Sequence, residues 1–182
     1  MLLGAVLSGA VCVLAALVLS RRLGWLTAVA CAGLVWSLVV IGLITLLPAN
    51  GAPGVVYAEG RLATCSWDIG GPAPDGFWIF SGGQRLLNTV VFLPSGTLLV
   101  LAAARWRWAW VTVPVGLVLL AAYSVVIEAT QLELARLDRA CDVTDIIDNS
   151  TGAAIGVGIG IVLAVILRPW RARTSDGTSL RA

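Results

Sequence analysis

Long apolar runs separated by short polar segments dominate the chain. Five runs approach or exceed the roughly 20 residues that a helix needs to cross a bilayer. They occupy residues 2–19, 24–47, 86–104, 109–128 and about 148–167. The longest polar segments between them are 48–85, rich in Gly, Pro, Asp and Trp, and 129–147. This pattern predicts an all-α integral membrane protein with five transmembrane helices in one bundle.

The composition agrees with this fold class and argues against nucleic-acid binding. Of the 182 residues, 59% are hydrophobic and only 12% are charged, about half the charged fraction of a soluble domain. The net charge of +2 is too small to indicate nucleic acid as a partner, and no basic cluster interleaved with aromatic residues suggests one, so we expect none. The chain contains no histidine. From the apolar composition we expect the lipid bilayer as a partner. We expect neither a cofactor nor a metal site.

The arginines predict the orientation of the spans. Eight arginines fall on one side of the membrane and four on the other, and the richer side is cytoplasmic by the positive-inside rule. The richer set is Arg21, Arg22, Arg105, Arg107, Arg168, Arg171, Arg173 and Arg181, and the poorer set is Arg61, Arg85, Arg136 and Arg139. The N-terminus is then outside and the C-terminus inside. We expect residues 1–170 to form one membrane domain and residues 171–182 a disordered cytoplasmic tail.

Three spans bring polar residues to one depth near the outer boundary. Asn88, Glu128 and the pair Asp148 and Asn149 all lie about 30 Å, at 1.5 Å per residue, from the cytoplasmic arginines. On the fourth span Gln131 shares a helical face with Glu128. Carboxylates at membrane depth are costly and indicate a functional site unless they are paired as structure. Arg139 and Arg136 are available as counter-charges for such a structural network.

The start of the fifth span shows a directional pattern. If one helix runs unbroken from residue 142, Asp142, Asp145, Asn149, Gly152 and Gly156 fall within an arc of roughly 80°. Asp148 lies outside this arc, so we expect it to face water or lipid headgroups. Gly152, Gly156 and Gly160 repeat at every fourth position, which favours close packing against another helix.

At these residues the chain resembles the VanZ-like family of bacterial membrane proteins. The matching residues are Asn88, Phe92 and Pro94 in NTVVFLPSG, Glu128 and Gln131 in EATQ, and Arg139, Asp142, Asp145, Asn149, Gly152 and Gly156 in RACDVTDIIDNSTGAAIG. The resemblance covers residues 85–165, approximately. It implies a multi-pass protein of the cell membrane with a role in the cell envelope and a family link to resistance against the glycopeptide teicoplanin. It implies no particular reaction.

Several functions remain open at this point. The sequence favours a protein that binds an envelope lipid, a glycan precursor or a glycopeptide at the outer polar cluster. As an enzyme, it would use Glu128, Asp142 and Asp145 as acid, base or cation ligands on an envelope lipid or glycan. No nucleophile with an adjacent base supports catalysis, so we assign no catalytic residue. A small transporter would need polar groups at mid-depth, and a scaffold for envelope partners is a further alternative.

The cysteines predict one structural bond. Cys12 and Cys31 lie within apolar spans and fit small buried hydrophobic positions. Cys65 and Cys141 each lie in an outer segment, where disulfides can form. We therefore predict a Cys65–Cys141 disulfide that fixes the first outer segment over Asp142 and Asp145. Two free thiols are the alternative.

Overall fold

The computed structural model describes residues 1–47, 64–67, 78–134 and 141–169. Within these ranges the chain forms five helices, and each is long and apolar enough to cross a membrane. They are α1 (Leu2–Leu23), α2 (Trp25–Leu46), α3 (Trp78–Ala103), α4 (Ala109–Leu134) and α5 (Val143–Leu167). The predicted all-α fold with five membrane-spanning helices is confirmed. The predicted tail at 171–182 lies outside the described residues.

Three helices extend beyond the predicted spans. Helix α3 begins at Trp78 instead of residue 86, α4 continues past residue 128 to Leu134, and α5 begins at Val143 instead of residue 148. The last part of the polar segment at 48–85 is therefore helical. Apolar patterning marks the part of a helix that lies in hydrocarbon, whereas polar turns beyond it can continue the same backbone hydrogen bonds.

Two tight turns meet at one end of the bundle. Gly24 alone separates α1 from α2, and its φ of 74° lies in the left-handed region that glycine adopts without strain. Arg105, which follows α3, donates from Nη1 to the carbonyl oxygen of Leu23 at the end of α1. The turns after α1 and α3 therefore lie side by side. We refer to this end, which also contains Arg21 and Arg22, as the arginine end.

Helices α3 and α5 pack with their backbones in close contact. A Cβ atom added to Gly152 would overlap the carbonyl oxygen of Thr89, and one added to Gly156 would overlap that of Leu93. From α3, Gly96 approaches the backbone of Ala153 equally closely. As the residue number increases along α5 from 152 to 156, the contacted residue on α3 increases from 89 to 93, so α3 and α5 run parallel. The glycines of the predicted packing face therefore lie against α3, and Gly160 continues this contact at Thr97 and Val100.

The buried apolar residues form two layers. One layer lies near the arginine end and contains Ala30, Val100, Leu101, Ala102 and Ala164. The other lies nearer the opposite end and contains Ile41, Phe92, Leu120, Ile127 and Ala153. Many large apolar side chains outside these layers are exposed on the bundle surface, as expected for a surface in contact with lipid. Helix α1 packs mainly against α2 and lies at the edge of the bundle.

Candidate functional site

Helix α5 begins where its apolar sequence meets a group of carboxylates. Asp142 caps this helix: its backbone is extended (φ −130°, ψ 126°), and its Oδ1 accepts a hydrogen bond of 2.8 Å from the backbone N–H of Thr144. Such a cap satisfies one of the free N–H groups at a helix start. The assumption of an unbroken helix from residue 142 is therefore wrong. Asp142 is not on the helical face of Asn149, because its backbone is not helical.

A short stretch of the first polar segment is bound to this helix start. The N–H of Ser66 donates to the carbonyl oxygen of Cys141 (2.9 Å), and the first N–H of α5 donates to the carbonyl oxygen of Ser66 (3.1 Å). These bonds make an isolated parallel bridge between Ser66 and Asp142. Beside it, Cys65 and Cys141 are joined by a disulfide, with Cα atoms 4.6 Å apart and a sequence separation of 76. The two cysteines that the sequence pairs are thus bonded next to the α5 cap.

Two buried side chains of α4 connect neighbouring helices. Glu128 is 3% exposed, and its Oε2 accepts a hydrogen bond of 3.1 Å from the backbone N–H of Asp142. Gln131 is also buried and donates from Nε2 to the carbonyl oxygen of Thr45 near the end of α2 (3.0 Å). The polar face predicted for α4 therefore holds the end of α2 on one side and the start of α5 on the other.

A third buried contact joins α4 to α5 one turn deeper. The Nδ2 group of Asn149 donates to Oγ of Ser124 over 2.8 Å, and both residues are buried. Polar contacts of this kind between membrane helices contribute about 0.6 kcal/mol on average. Ser124 thus provides the partner that the sequence alone could not assign to Asn149.

Asn88 occupies the same region but lacks such a partner. Its Nδ2 atom is buried and makes no hydrogen bond within the part of the chain that the structure describes. Phe92, Ile127 and Ala153 belong to one apolar layer, and Asn88 and Asn149 each precede a member of that layer by four residues. Both amides therefore lie one helical turn beyond the layer, on the side away from the arginine end.

An ion pair across α3 and α5 completes this region. Arg85 donates from Nε to Oδ2 of Asp148 (2.9 Å) and from Nη2 to Oδ1 (3.1 Å), which is a two-point guanidinium–carboxylate contact. Asp148 is buried at 7% exposure. The expectation that Asp148 faces water or headgroups is therefore wrong, because Arg85 supplies its counter-charge from α3. Arg85 could have been recognised as a site residue from the sequence, because it lies three residues before Asn88 and therefore on the same side of the helix.

The other predicted site residues have different outcomes. Asp145 is half-buried in the first turn of α5, and its charge, like that of Asp142, attracts Arg85. Arg139 and Arg136 lie outside the described residues, so their predicted role as counter-charges stays a prediction. We refer to Arg85, Asn88, Ser124, Glu128, Gln131, Asp142, Asp145, Asp148 and Asn149 together as the polar end of the bundle.

Polar side chains at mid-depth bond within the protein. Ser37 on α2 and Ser95 on α3 are hydrogen-bonded through their hydroxyl groups (2.9 Å). Ser95 lies ten residues from both Arg85 and Arg105, about 15 Å from each at the helical rise. Thr97 donates its hydroxyl to carbonyl oxygens of α3 and α5, at 3.1 and 3.0 Å. Among the described residues, no group of His, Cys, Asp and Glu is arranged to hold a metal ion.

The motifs at the polar end coincide with a known family pattern. A family model described as VanZ/LLP1 matches residues 34–167. This chain belongs to the VanZ/LLP1 family. The resemblance seen over approximately 85–165 is confirmed, and the match to VanZ/LLP1 extends it into α2. No curated protein and no solved structure matches the chain.

Membership of the VanZ/LLP1 family and the five apolar helices agree on location. The chain is a multi-pass protein of the cell membrane. All residues of the polar end fall inside the region that the VanZ/LLP1 model matches, whereas α1 precedes it. The polar end is therefore the part of the molecule in which a function shared with the family is to be sought.

Proposed function

We propose that this VanZ/LLP1 protein binds an envelope molecule at the polar end of its bundle. The candidates are the headgroup of a lipid, a glycan precursor and a glycopeptide. The observation that carries the proposal is the buried Nδ2 group of Asn88, which has no hydrogen-bond acceptor among the described residues. An oxygen atom of a bound molecule would provide that acceptor.

The energetics of the amide support this proposal. Leaving a buried donor without an acceptor costs about 1–3 kcal/mol. A network selected only for stability would be expected to satisfy it, as the amide of Asn149 is satisfied by Ser124. Binding of a ligand oxygen to Asn88 recovers this free energy, and the recovery appears as affinity.

The surrounding contacts favour binding over catalysis and transport. Asp142 caps a helix, Glu128 accepts a hydrogen bond from the backbone of Asp142, and Asp148 pairs with Arg85, so these carboxylates already have structural partners. The mid-depth hydroxyl groups of Ser37 and Ser95 bond to each other rather than lining an open path. These contacts support a site at one end of the bundle better than a route through it.

Binding measurements with three probes test the proposal. The full-length protein in lipid nanodiscs is titrated with a soluble short-chain phosphatidylglycerol, a lipid-linked muropeptide and teicoplanin, and saturable binding is measured by microscale thermophoresis. We expect one probe to bind saturably in a way that depends on Asn88, and that probe identifies the ligand source. Asn88→Ala should weaken that binding by about tenfold, because one hydrogen bond to a buried amide is lost.

The control variant is Ser37→Ala, which removes a polar group at mid-depth and should leave the affinity unchanged. Thermal unfolding of both variants separates a binding role from a structural role. Asn88→Ala should unfold at the wild-type temperature or above, since it removes an unsatisfied group. Absence of saturable binding for all three probes, or equal affinity of Asn88→Ala and wild type, would contradict the proposal.

A further inference from the structure

An apolar groove lies between α1 and α2, away from the polar end. Its volume is about 430 Å³, within the range of roughly 300–1,000 Å³ that is typical of ligand pockets. Small residues of both helices, Gly9, Ala16, Ala32 and Gly33, leave this space open, and Trp25 and Trp36 flank it. The groove therefore arises because two neighbouring helices place their smallest side chains opposite each other.

The apolar lining of the groove favours a hydrocarbon chain as its ligand. The indole Nε1 of Trp36 donates to the carbonyl oxygen of Ala5 (2.9 Å), so this polar atom is already bonded. The remaining lining is apolar. Trp25 and Trp36 are eleven residues apart on α2, about 16 Å at the helical rise. A groove of about 430 Å³ between two helices already in contact suits an extended alkyl chain better than a third helix, which is about 10–12 Å across.

The positive charge at one end of the groove favours a lipid with an anionic headgroup. Trp25 follows directly on the turn after α1, and Arg21 and Arg22 occupy the last turn of that helix. Both arginines are exposed and have no carboxylate partner among the described residues. A chain in the groove therefore places its headgroup at the depth of two guanidinium groups, which bind phosphate by paired hydrogen bonds.

We propose that the α1–α2 groove binds one acyl chain of an anionic phospholipid, whose phosphate contacts Arg21 and Arg22. The lipid belongs to the leaflet at the arginine end. The site is independent of the polar end, which lies at the opposite end of the bundle. All residues that line the groove, except Trp36, precede the region matched by the family model, which begins at residue 34.

Native mass spectrometry tests the acyl-chain part of the proposal. The full-length protein is delipidated in detergent and mixed with equal amounts of phosphatidylglycerol and phosphatidylethanolamine of identical chains. We expect wild type to retain one phospholipid, with at least a fivefold preference for phosphatidylglycerol. Cys12→Phe fills the groove, since Cys12 also lines it, and should abolish retention. Gly158→Phe is the matched control on α5, where a side chain meets open space.

The headgroup part has its own variants. Arg21→Gln/Arg22→Gln should still retain one lipid but lose the preference for phosphatidylglycerol, whereas Arg107→Gln, at the same end of the bundle, should keep it. Ala32→Phe repeats the groove-filling test should Cys12→Phe fail to fold, as judged by size-exclusion chromatography. Three results would overturn the proposal: no lipid retained by wild type, equal retention by a folded groove-filled variant, or a wild-type dimer crosslinked through Cys12. Asn88→Ala should retain the lipid, which separates this site from the polar end.

Discussion

Arg85 and Asp148 are joined by two hydrogen bonds, 2.9 and 3.1 Å long, across the contact between α3 and α5. The carboxylate is buried, while the guanidinium group is half-exposed at the boundary of the bundle. The pair thus neutralises a charge that would otherwise be buried without a partner beside the close glycine contact of the two helices. Because the ion pair lies at this helix contact, we expect it to contribute to the stability of the protein more than to ligand binding.

The first prediction concerns this pair. Arg85→Ala should lower the unfolding temperature, because it leaves the Asp148 carboxylate buried without a counter-charge. The double variant Arg85→Ala/Asp148→Asn should recover part of the loss, since no uncompensated charge remains. Tryptophan fluorescence during thermal unfolding in detergent measures both. Arg107→Ala is the control, and equal unfolding temperatures for the single and double variants would show that the pair is not coupled.

The second prediction concerns the glycine contact. Gly156→Ala should lower the free energy of unfolding by about 1–3 kcal/mol, because the added methyl group pushes α5 away from the backbone of α3. Gly158→Ala on the same helix should be neutral or slightly stabilising, since its Cβ meets no neighbour and alanine favours the helix. Unfolding titrations with sodium dodecyl sulfate compare the two. Equal effects would mean that α3 and α5 do not touch at Gly156.

The third prediction concerns the disulfide. Alkylation of the unfolded, unreduced protein should add two labels, at Cys12 and Cys31, and reduction should raise the number to four. Cys65→Ser should destabilise the protein by about 4 kcal/mol in the chain-entropy estimate for a closed loop of this size. Intact-mass spectrometry counts the labels. Four labels without a reductant would show that the bond is not formed.

The fourth prediction separates the two properties of Asp142. Asp142→Ala should cost about 1 kcal/mol of stability because the N-cap is lost. Asp142→Asn should retain stability, since asparagine caps helices equally well without the charge. Comparing the affinity of Asp142→Asn with that of wild type, for the probe that binds, shows whether the charge contributes to binding. We expect unchanged affinity, and a tenfold loss would assign Asp142 to ligand contact.

The fifth prediction concerns orientation across the membrane. The arginine end should be cytoplasmic, so that a cysteine introduced at Trp106 in a background without other free thiols is protected from an impermeant thiol reagent in intact cells. A cysteine introduced at Gly60 should be labelled by this reagent. A reporter that functions only in the cytoplasm should be active when it is fused to the C-terminus. An external C-terminus would reverse the orientation and place the polar end inside.

The sequence predicts the number and type of helices well because hydrocarbon imposes a minimum length of apolar residues on each span. The recurrence of Gly152 and Gly156 also predicts close packing, but not that α3 is the partner. Asp148 shows the limit of angular reasoning. A helical wheel gives directions relative to one helix, whereas burial depends on which neighbour stands in each direction. Arg85 is 63 residues away in the chain, and only the parallel packing of α3 and α5 brings it to Asp148.

The disulfide has a consequence for the order in which the molecule is made. Cys65 precedes α3, and Cys141 follows α4, so the closed covalent ring contains a complete pair of membrane crossings. During synthesis, the first thiol reaches its compartment long before its partner. The bond can therefore form only after both crossings have been inserted, when an oxidant of that compartment takes two electrons from the pair of thiols. The Cys65–Cys141 disulfide thus marks a chain whose insertion into the membrane is complete up to the fifth span.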